Sequence, residues 1–390
     1  MELTDHQQQR RAEFRDFADT SVAPFANLWD RQECLPRDVI ALTASKGYLG
    51  AVVGQGHVSG GLDMIEFGLL NEELGRGCSS LRTLLTVHSM VALSILRWGS
   101  KELKGAWLSQ LERGEVIGAF ALTEAEAGSD ARAIETQAVT AGDDFVLTGH
   151  KKWISLAQVA GLFLIFAKGS QGACAFLVER NAPGLTISPV RGLLGTRASM
   201  MGELHLDHCR VPRGNLVGAP GFGLSHIASS ALDCGRYSVA WGCVGIAQAC
   251  VEACVEYTGR RKQFGALLKD HQLVQRMITQ MIVETKAARL LCWNAGRLKD
   301  AGDPASVVET SAAKYFACKT AAKAARDAVQ LHGAVGCINE YAPERLFRDA
   351  KLMEIIEGSN ELQEITIAQN ARAEFSVSPA AASALTDKKI

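Results

Sequence analysis

The sequence predicts an α+β protein of three successive units. These are a helical N-terminal domain over residues 1–117, a small all-β domain over 118–222 and a bundle of about four helices over 223–373, with 374–390 as a flexible tail. Two observations carry this reading. Apolar residues recur at helical spacing up to about Arg113, give way at Gly118 to short β-type runs broken by Gly, Pro, Asn and Asp, and return to long helical periods from Gly223. Strands and helices are thus segregated along the chain, and neither a βαβ alternation nor an internal repeat is visible, which argues against a doubly wound sheet.

In chain order, residues 7–19, 36–46, 64–76, 81–96 and 101–113 read as helices. Between them, Gly54-Gln55-Gly56-His57-Val58-Ser59-Gly60-Gly61 misses the dinucleotide fingerprint, because Ser59 stands where its third glycine belongs, and it reads as a loop. Residues 118–122, 145–148, 162–167, 173–178, 185–190 and 203–207 read as strands. His205, His208 and Cys209 invite a metal reading, but a strand sends His205 and His208 to opposite faces and no fourth ligand is evident; packing or surface is the reading kept. Helices follow over 224–257, 271–301, 304–331 and a final segment through Asn370, the third starting with Asp303 as N-cap and Pro304 at the first helical position.

Composition narrows the function class. Hydrophobic residues make up 47% of the chain and charged residues 21%, and the net charge of −1 offers no basic excess for nucleic acid. The polar start predicts no signal peptide, and apolar runs such as 162–167 are too short to span a bilayer, so a soluble cytoplasmic protein is expected. Eleven cysteines without a C-x-x-C pair read as reduced, mostly buried thiols, with Cys250 and Cys254 in a helix core.

Five stretches have the chemistry of a site. Thr123-Glu124-Ala125-Glu126-Ala127-Gly128-Ser129-Asp130, after the apolar run ending at Leu122, offers backbone N–H groups and a hydroxyl to a phosphate, or is a turn. Lys151-Lys152-Trp153-Ile154-Ser155 puts a tryptophan and a hydroxyl two residues apart on one strand face, able to stack on a flat cofactor or to fill a core. Arg260-Arg261-Lys262-Gln263-Phe264-Gly265, followed by His271-Gln272, binds pyrophosphate or balances a helix dipole. Gln330-Leu331-His332-Gly333-Ala334-Val335-Gly336 permits close backbone approach by a ligand or a neighbouring subunit, or ends a helix. In Met353-Glu354-Ile355-Ile356-Glu357-Gly358-Ser359, Gly358 bends the chain and lets Glu357 project as a buried base; Glu354, Glu361 and Glu364 at helical spacing read as solvated surface.

In this order the five stretches resemble the acyl-CoA dehydrogenase family, over roughly residues 2–373. Gly195-Thr196-Arg197-Ala198-Ser199, Arg210-Val211-Pro212 and Arg348-Asp349-Ala350 add to the likeness. The resemblance implies a helical domain, a central β-barrel and a four-helix bundle, with FAD between the last two and across a subunit interface of a homodimer or homotetramer. It implies that Phe120, Leu122 and Thr123 border the flavin ring, that Gly128 and Ser129 meet its pyrophosphate, and that Trp153 and Ser155 lie on the ring's other side. Arg261, Phe264, Gln272, Gln330 and Gly333 would touch the FAD of a neighbouring subunit, Ser359 the flavin, and Asp233 and Arg236 the substrate pantetheine and nucleotide region. Glu357 would be the catalytic base, with hydride passing to flavin N5 and then to an electron acceptor.

Departures from the family pattern shape the substrate expectation. Ala125 replaces a usual proline, Ala334 a usual glycine, and Ile356 a tyrosine common in fatty-acyl members. The segments 84–90, 232–242 and 353–359 look most like a biosynthetic branch acting on acyl groups held by an acyl carrier protein, including the glycerate-derived unit oxidised on the way to hydroxymalonyl and methoxymalonyl polyketide extenders. There Glu357 would take a hydroxyl proton rather than a carbon-bound one. The alternative is a short- or branched-chain acyl-CoA dehydrogenase of catabolism. A flavin monooxygenase of the same fold is disfavoured by Glu357, and a non-enzymatic helical binding protein is the reading from another class.

Overall fold

The computed structural model describes residues 2–53 and 61–375; the tail from Ser376 and, apart from Gly61, the expected 54–61 loop lie outside the described residues. The N-terminal unit holds α1 (Asp5–Phe17), α2 (Ala26–Gln32), α3 (Arg37–Ser45), α4 (Met64–Gly77), α5 (Ser79–Trp98) and α6 (Lys101–Glu112). Helix α4 starts at a capping box in which the Glu66 amide donates to Asp63 at 2.7 Å and the Glu66 carboxylate accepts from the Asp63 amide. Helix α5 is buried almost throughout. Its Thr83, Thr86 and Ser94 hydroxyls donate to carbonyls four residues back, so each is satisfied inside an apolar helix. Helix α2 was not expected; it is short and stops where Glu33 turns left-handed.

The β domain is one hydrogen-bonded path. Strands β1 (Gly118–Ala121), β2 (Gln137–Ala141), β3 (Asp144–Ile154), β4 (Leu162–Gly169), β5 (Gly172–Glu179), β6 (Leu185–Pro189), β7 (Gly202–Pro212) and β8 (Leu216–Val217) run in the order β6-β7-β3-β2-β4-β5-β8, with β1 parallel to β4. Phe145 of β3 and Phe176 of β5 are separated by two strands in that path, yet their ring centroids lie 4.9 Å apart, so the sheet curls round one core. Strands β2 and β8 were not expected. The opposite-face reading of His205 and His208 is corrected: His208 turns left-handed at φ 49°, and both rings point to solvent. A register shift in the β3–β7 ladder facing them accompanies the break in alternation.

The C-terminal unit begins with a π-helical turn and α7 (Ser229–Arg260), followed by the small hairpin β9 (Lys262–Gln263) and β10 (Ala266–Leu267). Then come α8 (Gln272–Asp300), α9 (Ser306–His332), α10 (Ala342–Met353) and α11 (Asn360–Phe375). Asp303 does not cap α9 as expected: the helix starts at Ser306, and the Asp303 carboxylate accepts from the Ala305 amide within the preceding turn. Among the described residues, two helices, Ser79–Trp98 and Gly223–Arg260, are by length and composition apolar enough to cross a membrane, against the expectation from short runs; 94% and 72% of their apolar windows are buried inside the protein. Cys250 and Cys254 are fully buried, as expected.

Helix α4 crosses α7 at backbone contact, because glycines line the crossing. A Cβ on Gly75 would stand 2.4 Å from the Gly242 carbonyl oxygen, and one on Gly245 would stand 2.0 Å from that of Glu72. Beside the crossing, the buried Glu72 accepts from Arg289 of α8 at 2.8 Å, and Glu73 from Arg76 at 2.6 Å. Gly245→Ala is therefore expected to push the two helices apart and cost about 3 kcal/mol. Gly259→Ala, in the same helix with nothing within 4 Å, should be neutral or stabilise by about 0.5–1 kcal/mol. Thermal unfolding of the two variants checks the contrast, and equal melting temperatures would remove the close-approach explanation.

Candidate active site

The final helical segment is broken where the sequence placed a bend. Between α10 and α11 the chain reverses through Glu357 at φ 55° and Gly358 at φ 90°. A left-handed glutamate costs about 1–3 kcal/mol and persists only where its surroundings impose it. Here side chains from three helices do so: Arg236 Nε donates to the Glu357 carbonyl at 3.2 Å, Lys314 Nζ to the Gly358 carbonyl at 2.8 Å, and Gln363 Nε2 to that same carbonyl at 3.0 Å. Helix α10, which leads into the turn, is itself pinned. Arg348 spans both carboxylate oxygens of Asp30 at 3.1 and 2.6 Å and donates to the Leu194 carbonyl, while Asp349 accepts from the Thr196 amide at 2.6 Å.

The Glu357 side chain runs against α7 at its one residue without a Cβ there. A methyl group on Gly235 would stand 2.5 Å from Glu357 Oε2 and 3.1 Å from Met90 Sδ. Although the residue as a whole is half-buried, Oε2 is enclosed and has no hydrogen-bond partner. Burial pushes the carboxyl above its ordinary value, against the pull of Arg236, Arg82 and Lys314, whose positive charges favour ionisation. An unpaired carboxylate of raised basicity in a cleft is what proton abstraction requires.

That cleft, of about 480 Å³, is lined by Phe120, Leu122, Thr123, Gly128 and Ser129, by Trp153 and Ser155, by Arg236, and by Glu357 and Ser359. One chain thus brings together the β1 end, the β3 end and the α10–α11 turn. Trp153 turns left-handed at φ 60° where the β3–β7 register breaks, and the residue is 48% exposed. Beneath the loop that follows β1, the fully buried Lys151 donates to the Leu122 carbonyl at 3.0 Å and to Glu124 at 2.7 Å, and Glu124 also accepts from the Thr136 amide. Burial pulls Lys151 down to about 8, against the attraction of Glu124. For Glu124 burial works upward, but the bonds from the Glu135 amide, Lys151 and Thr136 outweigh it and hold the carboxyl below its ordinary value. An exposed indole, three nearby hydroxyl side chains and the uncrowded Gly128 fit a flat isoalloxazine ring with a polar tail.

Other expected residues lie elsewhere. Arg261, Phe264, Gln272, Gln330 and Gly333 are solvent-exposed, Phe264 by 97%. They share one end of the bundle, where the Tyr257 ring of α7 stacks on His332 of α9 at 4.4 Å. None of them lines the cleft of its own chain. Asp233 does not line it either; it pairs with Lys299 and leaves Oδ1 buried without a partner. Among the described residues no cluster of His, Cys, Asp and Glu suited to a metal is present.

Sequence reasoning missed the α5 wall of the cleft, formed by Arg82, Thr83, Thr86 and Val87. Arg82 is 1% exposed; it donates to Thr86 Oγ1 at 2.9 Å and Thr83 Oγ1 at 3.0 Å, while its Nε is buried without a partner. Burial pulls the guanidinium below its ordinary value. A signal was present: an arginine inside a long apolar helical run.

Comparison with known proteins bears on the same residues. The acyl-CoA dehydrogenase N-terminal, middle and C-terminal domain families match residues 4–115, 119–209 and 223–371. The chain is 36% identical over 374 residues to the mitochondrial short-chain specific acyl-CoA dehydrogenase of Rattus norvegicus, covering 94% of this chain and 90% of that protein. It is 37% identical over 376 residues to the glutaryl-CoA dehydrogenase of Desulfococcus multivorans, covering 94% and 96%. The solved structure of FkbI, for biosynthesis of the methoxymalonyl extender unit of the Fk520 polyketide, superposes with a TM-score of 0.85 at 35% identity, covering 93% and 99%. With all three domains matched and the cleft shaped for a flavin, the chain belongs to the acyl-CoA dehydrogenase family and is an FAD-dependent oxidoreductase of acyl thioesters.

Proposed function

We propose that this enzyme dehydrogenates a short acyl thioester whose acyl group carries a polar or anionic substituent, with Glu357 as the base. The carrying observation is that the unpartnered Oε2 of Glu357 and the unpartnered Nε of Arg82 both belong to residues lining one cleft. A plain alkyl chain would leave the buried guanidinium donor unsatisfied, at a cost of about 1–3 kcal/mol or more, whereas a substrate oxygen would satisfy it. Bound FAD supplies the hydride acceptor. The chain's own residues do the rest: Trp153 and Phe120 border the ring, Thr123, Ser129 and Ser155 offer hydroxyls to the cofactor, and Gly235 leaves room for the carboxylate that takes the proton.

Both curated relatives cited above are CoA-ester dehydrogenases by name, which supports a CoA ester as substrate. A second reading, an acyl group on an acyl carrier protein in polyketide extender-unit formation, is supported by the likeness to FkbI. The exposed set at the bundle end, Arg261, Phe264, Gln272, Gln330 and Gly333, is assigned to the FAD of a neighbouring subunit, making the enzyme a homodimer or homotetramer. Asp233 and Arg236 are assigned to the pantetheine and nucleotide region of the substrate, and Ser359 to the flavin. Eleven free cysteines favour a reducing compartment, the cytoplasm.

Glu357→Gln is expected to retain FAD and to abolish bleaching of the flavin by substrate under anaerobic conditions. Because burial holds Glu357 above its ordinary value of 4.5, the wild-type bleaching rate should rise with pH along an acid limb lying above 4.5. Bleaching of the variant at the wild-type rate would remove Glu357 as the base.

Butyryl, glutaryl and glyceryl thioesters, each offered on CoA and on a carrier protein, test the substrate reading. The oxygen-bearing groups should be preferred, and Arg82→Leu should erase a preference of tenfold or more, about 1.5–3 kcal/mol for a bond to a charged group. A wild-type preference for butyryl would overturn it, and the faster of the two carriers decides between CoA and carrier protein. Arg261→Ala is expected to weaken FAD retention by about 1–3 kcal/mol, measured by flavin release on dilution; unchanged affinity would count against the shared site.

A further inference from the structure

Lys314 lies in the middle of α9 with no exposed surface. Its Nζ donates to the Gly358 carbonyl at 2.8 Å and reaches Asn360 Oδ1 at 3.4 Å. Neither partner is a carboxylate, and a buried ammonium served only by neutral oxygens still bears most of its desolvation penalty, several kcal/mol. Glu357 is an anion on which its charge acts. Three cations face that carboxylate, and they differ in what they hold. Arg82 of α5 is engaged by the hydroxyls of Thr83 and Thr86 and by the Met353 sulfur at the end of α10, not by a carbonyl of the turn. Arg236 of α7 holds the carbonyl of Glu357 itself. Lys314 bridges the two sides of the reversal, Gly358 within it and Asn360 at the start of α11. Of the other titratable groups, Cys234 of α7 faces the carboxylate, Cys243 of α7 and Cys318 of α9 face the Lys314 charge, and Glu354 of the turn is engaged by Lys351.

We propose that Lys314 is the positioning residue of the base: it fixes the left-handed turn through the Gly358 carbonyl and, with Arg236 and Arg82, adds to the positive charge around a carboxylate shut away from water. The proposal rests on Glu357 being the base. Holding a backbone oxygen rather than the carboxylate is essential to it, because a direct ion pair would occupy the lone pair that must take the substrate proton. Lys314 acts on Glu357 through the field and through backbone geometry, and leaves Oε2 free.

The test separates charge from hydrogen bonding, and both from the identity of the base. Lys314→Met removes donor and charge, Lys314→Gln keeps a donor without charge, and each is combined with Glu357→Gln in FAD-loaded protein. Thermal unfolding needs no substrate. At pH 8, Lys314→Met should lower the melting temperature by several degrees more in the Glu357 protein than in the Glu357→Gln background. That excess should shrink as the pH falls through the titration of Glu357, because a protonated base has no charge to lose. In anaerobic flavin reduction by glutaryl-CoA or butyryl-CoA, whichever bleaches the wild-type flavin, both lysine variants should move the acid limb up by about one pH unit, since removing a positive neighbour raises a carboxyl pKa.

Additive melting shifts at both pH values together with an unmoved acid limb would overturn the proposal and leave Lys314 as packing. Failure of both lysine variants to accumulate as FAD-loaded protein would likewise assign the residue to the scaffold. Bleaching of the Glu357→Gln flavin at the wild-type rate is a different outcome, which removes the base itself.

Discussion

The constraint on which the rest of this structure depends is that one carboxylate must be dry and still able to ionise. Desolvating a carboxylate costs several kcal/mol even after relaxation, and the usual remedy, a hydrogen-bonded salt bridge, would consume the basicity that catalysis needs. The fold resolves this by placing positive charges around Glu357 while giving their hydrogen bonds to other acceptors. Arg236 and Lys314 are spent on the carbonyls of Glu357 and Gly358, and Arg82 on two threonine hydroxyls. The carboxyl titrates above its ordinary value, so burial prevails over the three cations without neutralising the base outright.

The demand on one side chain propagates through all three units. A left-handed glutamate needs a rigid frame, and α10 supplies it by anchoring to α2 through Arg348 and Asp30 and to the β-domain loop through Leu194 and Thr196. The bundle delivers Arg236 and Lys314 from α7 and α9, and the glycine-lined crossing of α4 and α7 sets how closely the N-terminal unit approaches α7. Gly235 belongs to the same logic, since its missing side chain is the space the carboxylate occupies. Glycine serves here by close approach, and at Gly358 by its positive φ.

What could be read from the sequence was what local chemistry dictates. Gly358 after Glu357 announced a bend and the change of texture at Gly118 announced the sheet; Trp153 and Ser155 do both line the cleft, though by a left-handed turn at Trp153 where β3 ends rather than by sharing a strand face. Features decided by contacts remote in sequence were not readable. His208 escapes strand alternation at a left-handed residue, Asp303 caps a turn and not a helix, and α2 and β2 lacked a strong periodic signal. The burial of Arg82 and Lys314 was hidden for the same reason. A lysine in a helix ordinarily marks a solvated face, and only the packing of α9 against the Gly358 turn reverses that meaning.

The same charge arrangement bears on catalysis once the proton moves. Before transfer the negative charge sits on Glu357; as the proton leaves it develops on the substrate in the same cleft, and once hydride has left the charge would rest on the reduced flavin. Three fixed cations against one carboxylate leave a surplus of positive charge around both locations. The developing charge therefore meets a field already oriented to receive it. The same field acts whether the proton leaves carbon or a hydroxyl oxygen, because in either case the anion forms beside a base whose counter-charges are tied to backbone and hydroxyl oxygens and cannot follow the proton. Arg82 differs from the other two cations: it belongs to the α5 wall of the cleft, its Nε has no hydrogen-bond partner, and it holds none of the backbone carbonyls of the turn. The site thus keeps one class of cation for the base and another for the substrate.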